Sequence, residues 1–314
     1  MRVYFDTNLY RYISSLQEEE VVRDFLRLNG LSLFCSLENL LETVAIENDT
    51  LRNHELTTLT SLAIPELQPE ALSHSKEMRT AIGKYRPLWL RNPRYNEIEK
   101  YRKTVNGYKT LWDDCSQAYP RDRTVYKSHK EQVMEVAIAR QREVHTALRD
   151  HFSDDRVWTL KIPGGQQVEI DMNDPEEYWR INNLQVWFDA VVMRIRSSKD
   201  YLDWLGPFIV DGCFRDGTYH EFWLNEVTPE DVPLNRIVAL TSFYQLRGKA
   251  AHGNAMDQLH AGHWLDSDLF LTADKEFCKI LGTVAERHYD GRHGPQLINR
   301  GLPSFVDQLE RIVR

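Results

Sequence analysis

Two aspartates, Asp6 and Asp274, each stand just past a short apolar run, where the chain pattern brings carboxylates to the same kind of place. Carboxylates that converge on a crevice repel one another when it is empty, and a divalent cation relieves that repulsion. The cation that suits such oxygen donors is Mg²⁺ or Mn²⁺. An ion of this kind can make a water nucleophilic and stabilise a leaving oxygen, which is what phosphodiester hydrolysis requires. Asp6 and Asp274, just past strands, are expected to make the main metal contacts. Both also have a plainer reading as helix N-caps.

The elements that must position these acids can be read from short apolar runs. Arg2-Val3-Tyr4-Phe5 and Leu269 to Thr272 read as strands buried in a parallel sheet, followed by Asp6 and Asp274 respectively. In open α/β sheets, chemistry collects at the carboxyl ends of the strands, at the topological switch point. A helix over Leu9 to Ile13, a second over Glu18 to Leu28 closed by Gly30, and a second strand over Leu31 to Cys35 follow from the same pattern. Ser36 is then the N-cap of a helix that carries Glu42.

Val3-Tyr4-Phe5-Asp6-Thr7-Asn8 resembles the opening strand and first catalytic acid of PIN-domain nucleases, the superfamily of VapC-type ribonucleases. Ser36-Leu37-Glu38-Asn39-Leu40-Leu41-Glu42 resembles the second element of that family. The Asp257 helix and Thr272-Ala273-Asp274 resemble the third and fourth. The resemblance covers roughly residues 1 to 75 and 235 to 314. It implies a PIN-like three-layer α/β fold with a central, mainly parallel sheet, interrupted by a mostly α-helical insertion. The expected division is 1–75 and 233–314 for the PIN-like parts and 76–232 for the insertion. By the same resemblance, Glu42 and Asp257 complete the metal shell directly or through water, although Glu42 alone would suit a solvated helix face, and Thr7, Asn8 and Thr272 orient carboxylates or a scissile phosphate. Arg247 and Lys249 read as a phosphate-facing helix surface at the edge of such a crevice. The implied activity is that of a Mg²⁺- or Mn²⁺-dependent endoribonuclease acting on single-stranded or loop RNA, in the manner of a toxin or defence effector held in check by an inhibitory protein partner. Proteins of this family often form homodimers, although no self-complementary surface is legible in the string. The alternative is a PIN scaffold that binds RNA or protein without cutting.

Composition sets the remaining bounds. The chain has 314 residues and a formal charge of −8, which argues against a general nucleic-acid coat. Residues 76–130 hold 14 Lys and Arg against 6 Asp and Glu, interleaved with Tyr85, Trp89, Tyr95, Tyr101, Tyr108, Trp112, Tyr119 and Tyr126. Such a stretch either packs its rings inward or offers them to unpaired bases beside a cationic backbone track. Four dispersed cysteines, no signal-like N-terminus and no apolar run of membrane length lead to the expectation of a cytoplasmic protein with no membrane segment.

Three further signals compete. Asp266 and Asp268 precede a strand, and so fall at its amino end. His260 and His263 lie one helical turn apart, but a structural zinc would want more Cys or His than Cys278 can add, so they read as core or surface histidines. Arg247 to His252 resembles the Arg-x4-His motif of the metal-free HEPN ribonucleases. Within the insertion, Trp158 to Ile170 around Pro163-Gly164-Gly165 predicts a β-hairpin, Lys130 to Phe152 predicts a helix, and Asn173 or Asp174, with Pro175 at the first position, opens a helix running to about Arg196.

Overall fold

Strand β1 (Arg2–Phe5) is the axis of the sheet, and Val3, Tyr4 and Phe5 are fully buried. The computed structural model describes residues 1–117, 157–161, 167–194, 199–215, 218–247 and 254–314. Along the chain follow α1 (Thr7–Leu16), α2 (Glu19–Leu28), β2 (Ser32–Ser36), α3 (Leu37–Val44), α4 (Asp49–Leu62), β3 (Ile64–Glu66), α5 (Glu70–Tyr85) and α6 (Tyr95–Gln117). Then come β4 (Val157–Lys161), β5 (Gln167–Asp171), α7 (Pro175–Phe188), α8 (Lys199–Leu205), α9 (Thr218–Glu221) and α10 (Pro233–Leu246). The described chain closes with α11 (Asn254–Asp266), β6 (Leu269–Thr272), α12 (Lys275–His288), β7 (Gln296–Leu297) and α13 (Phe305–Val313). The protein is therefore mixed α/β. No helix among the described residues is long and apolar enough to cross a membrane.

The chain divides into two compact units, Met1–Gln68 with 104–134 and Leu259–Arg314, and Pro69–Lys103 with 135–258. The first unit contains a five-stranded sheet in the order β3-β2-β1-β6-β7, with every neighbouring pair parallel. The chain steps outward from β1 to β2 and β3, then returns to the other side of β1 as β6. The switch point thus lies between β1 and β6, where Asp6 N donates to Leu271 O at 2.9 Å. Period-two alternation splits β1 between two helical layers. Tyr4 meets Phe270 and His263 on one face, while Phe5 meets Tyr10 and Phe305 on the other.

Local signals fix the elements around the sheet. Gly30, at φ +60°, turns the chain from α2 into β2. Ser36 caps α3 through a reciprocal box in which Asn39 N donates to Ser36 Oγ and Ser36 N donates to Asn39 Oδ1.

The second unit is mostly helical, with β4 and β5 forming an antiparallel pair. Trp179, Trp187 and Trp223 are fully buried there, and α7 lies against α10 through the Tyr178 and Phe243 rings. Asp174 caps α7 with Pro175 at its first position, as expected. The predicted extension to about Arg196 instead passes from α7 into a π-helical turn over Asp189–Met193 and reaches a left-handed Arg194. The predicted helix 130–152 and the hairpin's Pro163-Gly164-Gly165 lie outside the described residues.

The division differs from the expected boundaries at both ends of the insertion. Residues 233–258 belong with the second unit, because α10 is buried nearly all round. Its Asn235 Oδ1 accepts from Trp187 Nε1, and its Arg236 pairs with Glu176. The second half of α6 belongs with the sheet, whose core takes in Leu111, Trp112 and Cys115.

Candidate metal centre

At the carboxyl edge of the sheet, Asp6, Glu42 and His260 each offer a ligand atom, and these atoms all lie within 4.8 Å of one another. Asp6 leaves β1, Glu42 lies on α3 and His260 lies on α11. His260 Nε2 is 2.9 Å from Glu42 Oε2 and 3.8 Å from Asp6 Oδ1. Asp6 and His260 are almost completely buried.

Helical spacing explains how the histidine arrives there. Glu38 and Glu42 are one turn apart on α3, and His260 and His263 are one turn apart on α11, so two His–Glu pairs join the helices. His263 Nε2 lies 3.1 Å from Glu38 Oε2, and its ring stacks on Tyr4 at 4.9 Å. Read as core or surface residues from the sequence, these histidines are instead tied to acids. The matched i, i+3 and i, i+4 spacings were the signal for it.

Asp6 and Asp274 occupy equivalent positions and do different things. Asp6 stands at the N-cap position of α1 but makes no capping bond. Its Oδ2 accepts from Thr272 Oγ1 at 2.6 Å and from Asn8 Nδ2. Asp274 is exposed and caps α12, its Oδ1 accepting from Glu276 N and Phe277 N at 2.9 Å each. It is outside the three-residue group. Asp257 is also outside it, in the second unit, where its Oδ2 accepts from Gln245 Nε2 at 3.3 Å. Of the four expected ligands, Asp6 and Glu42 are brought together, and His260 joins them.

A buried polar frame holds Asp6 and His260. Asn8 Oδ1 accepts from Ala273 N, and Thr272 Oγ1 accepts from Asp274 N, so both groups that reach Asp6 are themselves fixed. Thr7 Oγ1 accepts from Asn39 Nδ2 at 3.0 Å and lies 3.5 Å from His260 Nε2. Tyr4 Oη is 2.6 Å from His260 Nδ1 and 3.0 Å from Ser36 Oγ.

The electrostatics follow from burial. Loss of water raises the Asp6 carboxyl above its ordinary value, with Glu42 adding to the rise, while His260 and Thr272 act against it. Burial disfavours the charged ring of His260, but Glu42, with Asp6 and Glu38, outweighs it and raises the ring's pKa to about 9. Glu38 is lowered: burial pushes it up, and His263 more than offsets that. The donor set fits a divalent cation, because Asp6 and Glu42 supply two carboxylate oxygens and His260 a ring nitrogen within 4.8 Å of one another.

Arg247 stands at the end of α10, its guanidinium 3.4 Å from the centre of the Phe243 ring and bonded to Phe243 O. Lys249 and His252 lie outside the described residues. Asp268 Oδ2 accepts from Arg2 N at 2.6 Å, at the amino end of the sheet.

In the basic stretch, Lys84, Arg86, Arg91, Lys100 and Arg102 are each paired with acids. Trp89 and Trp112 are buried there, and Tyr101 packs edge-on against Trp204. Tyr95 is exposed, and Tyr119 and Tyr126 lie outside the described residues.

The chain matches no model of a known protein family, no curated protein and no solved structure.

Proposed function

We propose that the protein is a metal-dependent endoribonuclease that hydrolyses RNA phosphodiester bonds at the carboxyl edge of its parallel sheet. One observation carries the reading: Asp6 and Glu42 converge in a buried site at the switch point of the sheet. When bound there, Mg²⁺ or Mn²⁺ would supply an activated water and charge stabilisation on the leaving oxygen. Asp6 and Glu42 would hold the ion, and Thr272, Asn8 and Thr7 keep Asp6 and its surroundings in one orientation. The expected substrate is single-stranded or loop RNA, which can present its backbone to a small crevice. A toxin or defence role with an inhibitory partner belongs to the same proposal.

The test is incubation of the purified chain with a pool of cellular RNA and Mn²⁺ or Mg²⁺, followed by mapping of 5′ ends. Discrete cuts are expected that vanish with chelator and with Asp6→Asn. Cuts that persist in Asp6→Asn would overturn the reading.

A second reading, a scaffold that binds RNA or protein without cutting, is favoured by the His260–Glu42 pair. At 2.9 Å, a charged His260 balances these carboxylates without any ion. It predicts binding that survives both chelation and Asp6→Asn.

A further inference from the structure

We infer that His260 is the third ligand of the cation held by Asp6 and Glu42, and that the site consequently prefers a first-row transition ion, Mn²⁺, to Mg²⁺. The inference rests on the metal-dependent reading above and names the ion's nitrogen donor. It begins with proton positions in the buried frame. Ser36 Oγ donates to Asn39 Oδ1 at 3.3 Å and accepts from Asn39 N. Either atom of the 3.0 Å hydroxyl contact can donate, and with the serine proton donated to Asn39 it runs from Tyr4 to Ser36. The tyrosine proton being spent there, the 2.6 Å contact to His260 runs the other way, from Nδ1–H to the phenol oxygen. The ring is thereby held with its proton on Nδ1, and its Nε2 points toward Glu42 and Asp6. An imidazole with Nδ1–H bonded to a fixed acceptor is the arrangement in which Nε2 serves as a metal ligand.

The separations agree. Donor atoms about 2.1 Å from a six-coordinate ion stand about 3 Å apart when adjacent and about 4 Å apart when opposite. Nε2 is 2.9 Å from Glu42 Oε2 and 3.8 Å from Asp6 Oδ1. Two carboxylate oxygens facing one ring nitrogen also demand a positive charge at that nitrogen, and either a proton or a metal ion meets the demand. Choice between the two ions then follows from donor type. Carboxylate oxygens suit Mg²⁺ and Mn²⁺ alike, and an added imidazole nitrogen, a donor for first-row transition ions, favours Mn²⁺ of the pair.

The experiment is pulsed electron paramagnetic resonance on the full-length chain loaded with Mn²⁺, alongside calorimetric titrations with Mn²⁺ and with Mg²⁺. Expected are tighter binding of Mn²⁺ than Mg²⁺ by tenfold or more and a ¹⁴N coupling from directly bound imidazole. The coupling should be lost in His260→Gln, which should also weaken Mn²⁺ binding at least tenfold. Should His260→Gln fail to fold, Asp6→Asn, which keeps the imidazole, ties the bound ion to this cluster by abolishing Mn²⁺ binding. Mn²⁺ bound without nitrogen coupling, or a coupling that survives His260→Gln, overturns the inference and leaves the metal-dependent reading standing. Absence of any divalent binding by the wild-type chain overturns both.

Discussion

Tyr4→Phe removes one oxygen atom from the centre of the molecule and tests whether the buried polar frame is organised as described. Tyr4 has no exposed surface, and burial holds its phenol pKa far above the ordinary range, so it acts as a neutral hydroxyl at any working pH. Its ring contacts with Phe34, His263 and Phe270, at 4.9 to 5.2 Å between centroids, survive the substitution. What is lost is the pair of hydrogen bonds to His260 Nδ1 and Ser36 Oγ. A neutral bond contributes about 0.5–1.5 kcal/mol and one to a charged group about 1.5–3 kcal/mol. Their sum, reduced by the gain from burying a less polar ring, gives a loss of about 2–4 kcal/mol. That is a large part of the stability of an ordinary domain, about 5–15 kcal/mol.

Two compact units blur a global unfolding curve, so the suitable assay is native-state hydrogen exchange at β1 and β6. Exchange at the Asp6 amide, bonded to Leu271 O, should speed up by roughly 30- to 1,000-fold, since 1.4 kcal/mol is about a factor of ten. A Tyr4→Phe variant within about 0.5 kcal/mol of wild type would show that the two contacts contribute no more than water does. The proposed proton order would then have no energetic basis.

Other expectations concern charges elsewhere. Glu55 is fully buried on its side-chain atoms, and its partner Arg11, with Nε at 2.5 Å, is half exposed. Arg11→Met should cost about 2–3 kcal/mol, below the figure for a wholly buried pair because Arg11 is partly in water, and adding Glu55→Gln should restore most of it. Native-state hydrogen exchange in the sheet unit of the two single variants and the double variant decides this, and simple additivity would refute it. In the second unit, burial lowers the His74 pKa, but Glu70, at 2.8 Å, and Glu77 outweigh burial and raise it above the ordinary value. A raised folded pKa means the contribution is complete below about pH 6.5 and fades as pH climbs through the folded value. The stability gap between wild type and His74→Gln should therefore be largest near pH 6 and narrow toward pH 9, and a gap that widens with pH would contradict the assignment.

Much of the sheet unit was legible in the string because its signals are local. An apolar run of four residues, an acid after it and a capping serine depend on neighbours in the chain, so β1, β6, α3 and the positions of Asp6, Glu42 and Asp274 could be read directly. Composition likewise located the basic, aromatic stretch, but it could not say that Lys84, Arg86, Arg91 and Lys100 face acids more than a turn away in sequence or on other elements.

Tertiary structure alone decided which carboxylates share a pocket. Asp6 and Asp274 have the same local grammar, yet one reaches across the switch point to Thr272 while the other turns back to cap its own helix. That choice depends on the parallel pairing of β1 with β6, across more than 260 residues of chain. His260 entered the site for a similar reason. Its spacing from His263 was visible in the sequence, but its meaning came from the matching turn of α3 placed opposite by the fold.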